Sequence, residues 1–333
     1  MKSCFFGLLL LSLFILLTNN INAQNYSILS ESDTLSLYSK VFESNRKLIL
    51  TKSKSISDRD INCIIYLDAH WSNVNGMILQ TADNLIITKE IPESILVGII
   101  PENRDEELTS KDYLLKFIID EVIPYLSKEF NISPKATIAG YSLGGYFATY
   151  SFLQYNSIFN SCIAISPAYW PNNCDVIELI RQKNENDSIC GNLYIAIGNR
   201  RWVDISIRDF VFEAKEVIEE NEKIRFRFND LDGFSHNSTV TIGFGLGLGF
   251  IYDDWEWINI LEEQNEYLKN YPESWGHLEV KGDALFHLYK TNEAHDIYEK
   301  AIFYLLRDNE LSKANRNNIQ NRLEEKIKNC NSI

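Results

Sequence analysis

Several features are scarce or missing in this chain, and each one excludes a class of protein. There is no C-x-x-C pair and no cluster of cysteines with histidines, so we expect neither a zinc site nor any other metal or cofactor. Basic residues are outnumbered by acidic ones, 32 to 46, and the formal net charge of -14 argues against nucleic acid as a partner. Beyond residue 23, no run is long and apolar enough to predict a transmembrane helix.

The cysteines that follow residue 23 are odd in number, so at least one thiol is free or bridges to another molecule. Cys63 and Cys162 lie in apolar, strand-like runs, and we expect both to be inert core residues. Cys174 and Cys190 flank a polar segment that is typical of a loop, and they could form a disulfide in an oxidising compartment.

The N-terminus has the order of charged, apolar and small residues that is typical of a secretory signal peptide. Lys2 carries the charge, residues 5–17 are almost wholly apolar, and Ala23 closes the segment. The apolar run is short for a membrane span, although an N-terminal membrane anchor is the alternative interpretation. We therefore predict an exported protein that is periplasmic or secreted.

Short apolar runs alternate with helical patterns over the middle of the chain. The apolar runs predict buried strands at 61–67, 95–100, 136–139, 162–165 and 193–197. An alternating run predicts an edge strand at 224–228. Helical spacing predicts helices over 111–130, 146–154 and 205–220. This alternation predicts an α/β domain with a mostly parallel sheet that helices cover on both faces.

The strand patterns disappear from about residue 254 onward. Four helical patterns follow, over 255–271, 279–289, 293–307 and 313–328. We therefore divide the chain into a signal peptide at 1–23, an α/β domain at 24–253 and a small all-helical tail at 254–333. The tail is a candidate for binding a protein partner.

The most informative stretch runs from Gly140 to Gly144 and has the pattern G-x-S-x-G, with Ser142 at its centre. A predicted strand leads directly into it and a predicted helix follows at once. Such a turn is tight and strained, and it lifts the serine hydroxyl clear of the sheet. A side chain at either flanking glycine would collide with neighbouring backbone. Ser142 is therefore the candidate nucleophile.

A serine hydroxyl needs a base, because it is not ionised at neutral pH. Only five histidines are present; one precedes the serine and three lie in the helical tail, which leaves His236 in a loop after the last strand. Asp204 is the first acid in the loop after the strand at 193–197, and it is the candidate that orients the imidazole. Asp209, Glu213 and Asp232 remain rivals for this role.

Stabilising the developing oxyanion requires two backbone N–H groups. One should come from Leu143, directly after the nucleophile, and the other from the loop at residues 68–71. Tyr169 and Trp170 follow a strand end, where they could line a substrate pocket or belong to the core. The glycine-rich run at 243–249 lacks the spacing of a phosphate-binding loop, so we expect it to serve close packing.

The order and spacing of these pieces resemble the putative esterase family of α/β-hydrolases, which includes esterase D, enterobactin-type siderophore esterases, feruloyl and acetylxylan esterases, and mycolyltransferases. The shared motifs span about residues 64–250, and are Tyr66-Leu67-Asp68-Ala69, Asn103-Arg104, Glu121 to Tyr125, Gly140 to Gly145, Ser166-Pro167 and Gly233 to His236. The resemblance implies an α/β-hydrolase fold with Ser142 as nucleophile and His236 as base.

The resemblance also implies a second oxyanion donor. Family members place it on the residue after an Asp-Gly pair; the pair here is Asp68-Ala69, so the donor is the N–H of His70, with Ala69 in place of glycine. The triad acid varies among these relatives. The assignment of Asp204 therefore rests on its position after the strand at 193–197 and not on the resemblance. In the tail, residues 270–301 resemble a divergent tetratricopeptide unit, as found behind some bacterial members.

Three functions are compatible with these patterns. We expect a carboxylic-ester hydrolase that acts through an acyl-enzyme on a small-molecule or carbohydrate ester, such as a siderophore ester or an acylated sugar. Acyl transfer to an alcohol on the same triad is one alternative. A binding or scaffold protein with a vestigial triad, which engages a protein partner through its tail, is another.

Export is the first testable consequence. Cleavage after Ala23 should leave a mature chain that begins at Gln24, because a small residue at this position suits signal peptidase. Mass spectrometry of the intact protein from the cell envelope measures its N-terminus. Envelope protein that still begins at Met1 would contradict the prediction.

Overall fold

A single sheet of eight strands organises the larger part of the computed structural model, which describes residues 32–53, 61–186 and 189–331. The predicted signal peptide at 1–23 lies outside the described residues. The strands are β1 (Asp33–Ser39), β2 (Ser44–Lys52), β3 (Asn62–Tyr66), β4 (Ser94–Ile99), β5 (Ala136–Tyr141), β6 (Phe159–Ile165), β7 (Gly191–Gly198) and β8 (Ile224–Leu231).

The sheet is mostly parallel, and its strand order is β1-β2-β4-β3-β5-β6-β7-β8. β1 and β2 form an antiparallel hairpin, β2 is antiparallel to β4, and every pair from β4 to β8 is parallel. Because the parallel strands all end at one edge of the sheet, the loops that follow β3, β5, β6, β7 and β8 meet there.

Helices connect the strands and form the tail. They are α1 (Ser72–Ile87), α2 (Arg104–Ser110), α3 (Asp112–Phe117), a π-helical turn (Ile118–Val122), α4 (Ile123–Phe130), α5 (Leu143–Gln154), α6 (Pro171–Glu185), α7 (Trp202–Glu219), α8 (His236–Ile251), α9 (Asp253–Asn270), α10 (Trp275–His287), α11 (Thr291–Leu305) and α12 (Lys313–Cys330).

Two apolar clusters cover the two faces of the sheet. The first packs α2 to α7 on one face, and the second packs α1 and α8 on the other. The strands from β3 to β7 are buried on both sides, which is why they read as continuous apolar runs. The predicted mostly parallel, doubly covered sheet is therefore confirmed, and the predicted edge strand is β8 at the end of the sheet.

Several elements differ from the sequence-based expectation. The hairpin β1–β2 and the helices α1, α2, α6 and α8 were not predicted. The helix predicted over 111–130 consists of three consecutive pieces, because the π-helical turn lies between α3 and α4. It begins at Asp112, since Lys111 has φ 65 and is not helical. Three left-handed residues, 172–174, lie at the beginning of α6, and this helix continues through residue 185 into the segment after Cys174 that was expected to be a loop.

α8 contains the glycine-rich run, which shows how packing overrides helix propensity. A Cβ at Gly247 would lie 2.8 Å from Ile163 Cγ2 and from Tyr194 Cδ1, and one at Gly243 would lie 3.3 Å from Ala196 Cβ. These two glycines are one helical turn apart, so they lie on the same face of α8 and let it approach the sheet closely. The expected role in close packing is confirmed.

The helices after residue 253 share an apolar core of their own, built around Leu278, Tyr298 and Leu323. Arg322 and Lys326 on α12 bind the Glu279 carboxylate on α10, which joins the last helix of this module to its second. Ion pairs between Lys89 and Glu263, and between Arg225 and Asp253, connect α9 to the α/β domain. The resemblance of residues 270–301 to a tetratricopeptide unit stays a prediction.

All five cysteines that the structure describes have free thiols, so the possible pairing of Cys174 with Cys190 is not formed. Cys63 and Cys162 are fully buried, as expected for inert core residues, and burial raises the pKa of the Cys63 thiol to about 12. Within the described ranges, none of the helices has the length and apolar character that crossing a membrane requires.

Two glycines of α8 form a matched pair that tests its packing. Gly247→Ala should lower the free energy of unfolding by about 1–3 kcal/mol, because the added methyl overpacks the contact with β6 and β7. Gly249 has no atom within 4 Å of a built Cβ, so Gly249→Ala should raise stability by about 0.5–1 kcal/mol through helix propensity. Urea denaturation measures both variants, and equal effects would contradict the close approach.

Candidate active site

Ser142 lies at the sharp turn that joins β5 to α5. Its backbone has φ 58 and ψ -121, a conformation that a residue with a side chain rarely adopts. The Ser142 N–H donates to the Ile165 carbonyl over 2.9 Å, and the Ser142 carbonyl accepts from the Ala168 N–H over 3.1 Å. The turn is thus tied to β6, and it presents a half-buried hydroxyl at the end of the strand.

Two glycines make room for this turn. A Cβ at Gly140 would overlap the Gly144 carbonyl, which is the backbone collision that the sequence predicted. A Cβ at Gly144 would lie 3.1 Å from Leu67 Cβ and 3.1 Å from the Asp68 carboxylate. The beginning of α5 therefore packs directly against the loop that follows β3.

The structure brings His236 and Asp204 together. His236 Nδ1 lies 3.1 Å from Asp204 Oδ1, so a proton on Nδ1 is donated to the carboxylate. Asp204 is fully buried, and only 14% of the His236 side chain is exposed. This bond assigns the proton to Nδ1 and leaves Nε2 as the basic nitrogen.

Both residues lie on helices, whereas the sequence predicted loops. Asp204 belongs to the first turn of α7, because only residues 199–201 separate the end of β7 from this helix. His236 is the first residue of α8, and the preceding Ser235 forms a capping box with Ser238. Two helix N-termini thus hold the candidate acid and the candidate base.

The three rival acids lie in other surroundings. Asp232 is exposed and accepts a hydrogen bond from Asn199 Nδ2 over 2.6 Å. Glu213 pairs with Arg181 over 2.6 Å, and Asp209 is exposed on α7. None of the three contacts the imidazole through a hydrogen bond or ion pair within the described ranges.

Two buried hydroxyls extend the acid–base pair. Ser166 Oγ donates to Asp204 Oδ1 over 3.3 Å and lies 2.9 Å from Thr239 Oγ1. Thr239 Oγ1 donates to the His236 carbonyl over 2.6 Å. Ser166 is fully buried with φ 41, so the motif Ser166-Pro167 belongs to this network. The sequence alone assigns the Ser166-Pro167 motif no role, because only the fold brings Ser166 next to Asp204.

The imidazole lies beside the residue that precedes the nucleophile. The Tyr141 and His236 ring centroids are 4.6 Å apart, and the Tyr141 hydroxyl donates to Asn237 Oδ1 over 3.0 Å. Burial, together with the Asp204 charge, raises the pKa of Tyr141, so its phenol stays protonated. No hydrogen bond joins Ser142 to His236 in the described part of the chain; such bonds are often long without substrate and shorten when it binds.

The two expected oxyanion donors are available. Neither the Leu143 N–H nor the His70 N–H donates a backbone hydrogen bond within the described residues. Leu143 is the first residue of α5, where a helix leaves its N–H groups unpaired and its dipole favours negative charge. His70 lies in the loop after β3, two residues after Asp68, whose carboxylate lies close to Gly144.

Ala69 occupies the position where relatives carry glycine. The left-handed backbone conformation falls on Asp68, with φ 61, and not on Ala69. The Ala69 methyl is buried against Gly98, where an added Cβ would overlap it. Because Gly98 provides this space, alanine fits without displacing the loop.

Large exposed side chains lie at the same edge of the sheet. Trp170 follows β6 and is 52% exposed, and Trp202 opens α7 and is 75% exposed. Arg200 and Arg201, both exposed, directly precede Trp202. Tyr169, in contrast, is fully buried and its hydroxyl pairs with α5, so it is a core residue.

The other histidines do not compete with His236. His277 and His287 stack on tail aromatics at ring-centroid distances of 3.7 and 4.1 Å, and His295 lies beside an exposed aspartate on α11. The His70 side chain is exposed, in the loop that follows β3. The selection of His236 by elimination therefore agrees with the positions of the other four histidines.

A mostly parallel sheet with helices on both faces and a serine at a strained strand–helix turn define an α/β-hydrolase fold. A family model described as "Putative esterase" matches residues 39–222, which is more than half of the chain. The chain belongs to this putative esterase family. The matched residues include Ser142 and Asp204 and end before His236.

Known proteins of the same fold are distant in sequence. The structure is similar to an IroE-like serine hydrolase from Shewanella oneidensis (TM-score 0.60, 14% identity, 82% of this chain and 100% of that one). It is also similar to the siderophore hydrolase EstB from Aspergillus nidulans (TM-score 0.56, 17% identity, 67% and 95%).

An uncharacterised Bacillus subtilis protein, YbbA, is 30% identical over 114 residues, covering 28% of this chain and 46% of the relative. The chain thus spans about half the length of this curated relative.

The Asp204–His236 pair generates a prediction. Asp204→Asn should reduce turnover of an ester about 10⁴-fold with substrate affinity retained, because the amide favours the wrong imidazole tautomer and cannot stabilise imidazolium. Steady-state kinetics on an aryl acetate measures the effect. Asp232→Asn, Asp209→Asn and Glu213→Gln are the controls and should stay near wild type; a crippled control with an active Asp204→Asn would show that the acid is misassigned.

Proposed function

We propose that this protein hydrolyses carboxylic esters through a covalent acyl-enzyme. Ser142 is the nucleophile, His236 the general base and Asp204 the acid that orients it. The observation that carries the proposal is the buried hydrogen bond of 3.1 Å between His236 and Asp204, at the sheet edge where Ser142 occupies a strained turn. Membership of the putative esterase family supports the same chemistry.

Acylation follows from this geometry. As Ser142 Oγ bonds to the ester carbonyl carbon, its proton moves to His236 Nε2, and the carbonyl π electrons move to the oxygen. The N–H groups of Leu143 and His70 receive that oxyanion. When the tetrahedral intermediate collapses, the bond to the alcohol oxygen breaks, and the imidazolium gives its proton to the departing alcohol.

Deacylation repeats these steps with water. His236 takes a proton from water as the water oxygen bonds to the acyl carbon. When the second tetrahedral intermediate collapses, the bond to Ser142 Oγ breaks and the imidazolium returns its proton to that oxygen. Asp204 stabilises the imidazolium that forms in each half-reaction. Its complete burial keeps the charge close to the ring and poorly screened by solvent.

The proposed substrate is a small-molecule ester with an aromatic or anionic part, and a siderophore ester is the leading candidate. Trp170 and Trp202 offer exposed aromatic faces at the sheet edge, and Arg200 and Arg201 add positive charge in a chain with a net charge of -14. The structurally similar EstB is a siderophore hydrolase. Export, predicted from the N-terminus, is part of this proposal, since it would place the protein where exogenous esters arrive.

Removal of the nucleophile tests the function. Ser142→Ala should abolish hydrolysis in a screen of aryl acetates, feruloyl sugars and ferric siderophores, with a loss of about 10⁴-fold or more, because no other group can form the acyl-enzyme. Labelling by a fluorophosphonate should disappear in the same variant. Ser127→Ala, an exposed position on α4, is the matched control.

Two outcomes would contradict the proposal. Near wild-type turnover in Ser142→Ala would exclude Ser142 as the nucleophile. A wild-type protein that neither reacts with the fluorophosphonate nor hydrolyses any ester in the screen would favour a non-catalytic protein instead. Formation of a new ester when acceptor alcohols are added, faster than hydrolysis, would identify acyl transfer.

A further inference from the structure

A buried ion pair lies directly behind the proposed oxyanion site. Arg104 Nε donates to Asp68 Oδ1 and Arg104 Nη2 donates to Asp68 Oδ2, each over 2.7 Å. The Asp68 side chain is fully buried, and that of Arg104 is 16% exposed. Two parallel charge-assisted bonds are strong and fix the relative orientation of their partners. The pair therefore fixes the loop after β3 relative to α2.

Arg104 contacts this loop on both sides of His70. It binds Asp68 through the carboxylate, and its guanidinium carbon lies 4.3 Å from the centroid of the Trp71 ring. Asp68 has φ 61, and its carbonyl accepts from the Trp71 N–H over 3.0 Å. Such a conformation persists only where the surroundings impose it. The contacts with Arg104 thus hold Asp68 and Trp71, which lie two residues before and one residue after His70, and so they constrain the direction of the His70 N–H.

The Asp68 carboxylate is also close to the other half of the site. Its Oδ2 lies 3.1 Å from the position of a Cβ built on Gly144, the residue after Leu143. An unpaired carboxylate here would repel the negative charge that develops on the substrate oxygen, and the buried setting would screen this repulsion poorly. The guanidinium of Arg104 neutralises the charge of the Asp68 carboxylate.

Another ion pair supports the position of Arg104. Glu107 Oε1 accepts from the N–H groups of Glu102 and Asn103, over 3.2 Å each, in the segment that leads into Arg104. Arg46 holds the same carboxylate with bonds of 3.0 and 2.6 Å. The segment that presents Arg104 is thus fixed to β2.

We propose that Arg104 is a positioning residue for oxyanion stabilisation, acting through Asp68 and Trp71 on the His70 N–H and through charge neutralisation of Asp68. This inference rests on the proposed ester hydrolysis. It gives a role to the motif Asn103-Arg104, which the acyl-transfer steps alone do not use. A merely structural ion pair would contribute to folding and leave the transition state unaffected.

The test compares three variants by steady-state kinetics on an aryl acetate. Arg104→Gln should lower kcat about 10²-fold with KM little changed, because the oxyanion donor is displaced and a buried negative charge is left beside it. Asp68→Asn should lose only about 10-fold, since it loosens the loop and leaves no such charge. The double variant should be more active than Arg104→Gln alone.

A transition-state analogue provides a reading that stability does not affect. A trifluoromethyl ketone forms a hemiketal oxyanion on Ser142, so its inhibition constant should rise in Arg104→Gln by about the same factor as kcat/KM falls. Arg322→Gln removes a comparable two-bond pair with Glu279 in the tail, and it should leave kcat and inhibition unchanged. If Arg104→Gln does not fold, Arg104→Lys keeps the charge, loses one bond and should still weaken inhibition.

The possible failures are distinguishable. An inactive wild type overturns the proposed function and this inference with it. An active wild type with kcat and inhibition retained in Arg104→Gln overturns the inference alone. A double variant no better than Arg104→Gln overturns the role of charge neutralisation.

Discussion

The constraint on which the site depends is the forced backbone turn at Ser142. A serine at φ 58 is unfavourable by itself, so the surroundings must impose it. Hydrogen bonds from the turn to β6, and the contact of Gly140 with Gly144, provide that constraint. The same compression presses the beginning of α5 against the loop after β3, which brings two unpaired N–H groups to the hydroxyl's end of the sheet.

The acid and base depend on the same edge of the sheet. Because β5, β6, β7 and β8 are parallel neighbours, the segments that follow them converge, and residues far apart in sequence come into contact. Asp204 and His236 are each placed by the first turn of a helix, a more rigid support than a loop. Ser166, at the end of β6, donates to Asp204 Oδ1, and its hydroxyl lies 2.9 Å from that of Thr239 on α8.

Sequence reasoning reached the buried parallel strands, because burial on both faces leaves continuous apolar runs. It missed α8, whose glycines oppose helix formation until the sheet packs against them, and the hairpin β1–β2, whose side chains are largely polar or exposed. It placed Ser142 through a local motif and His236 by elimination. It left Asp204 among rivals and gave Arg104 no role, because pairing between distant residues has no local signal.

The electrostatic arrangement explains how one site can hold two buried carboxylates and still favour an anionic transition state. Asp204 is hydrogen-bonded to the imidazole, and in the proposed reaction its charge stabilises the imidazolium that forms together with the oxyanion. Asp68 lies in the loop of the proposed oxyanion donor His70, where an unpaired charge would oppose the proposed reaction, and the Arg104 guanidinium binds both of its carboxylate oxygens. Asp204, the candidate triad acid, is hydrogen-bonded to an imidazole that gains a proton during the proposed reaction. Asp68, which takes no part in the proposed proton transfers, is bound by the permanently charged guanidinium of Arg104.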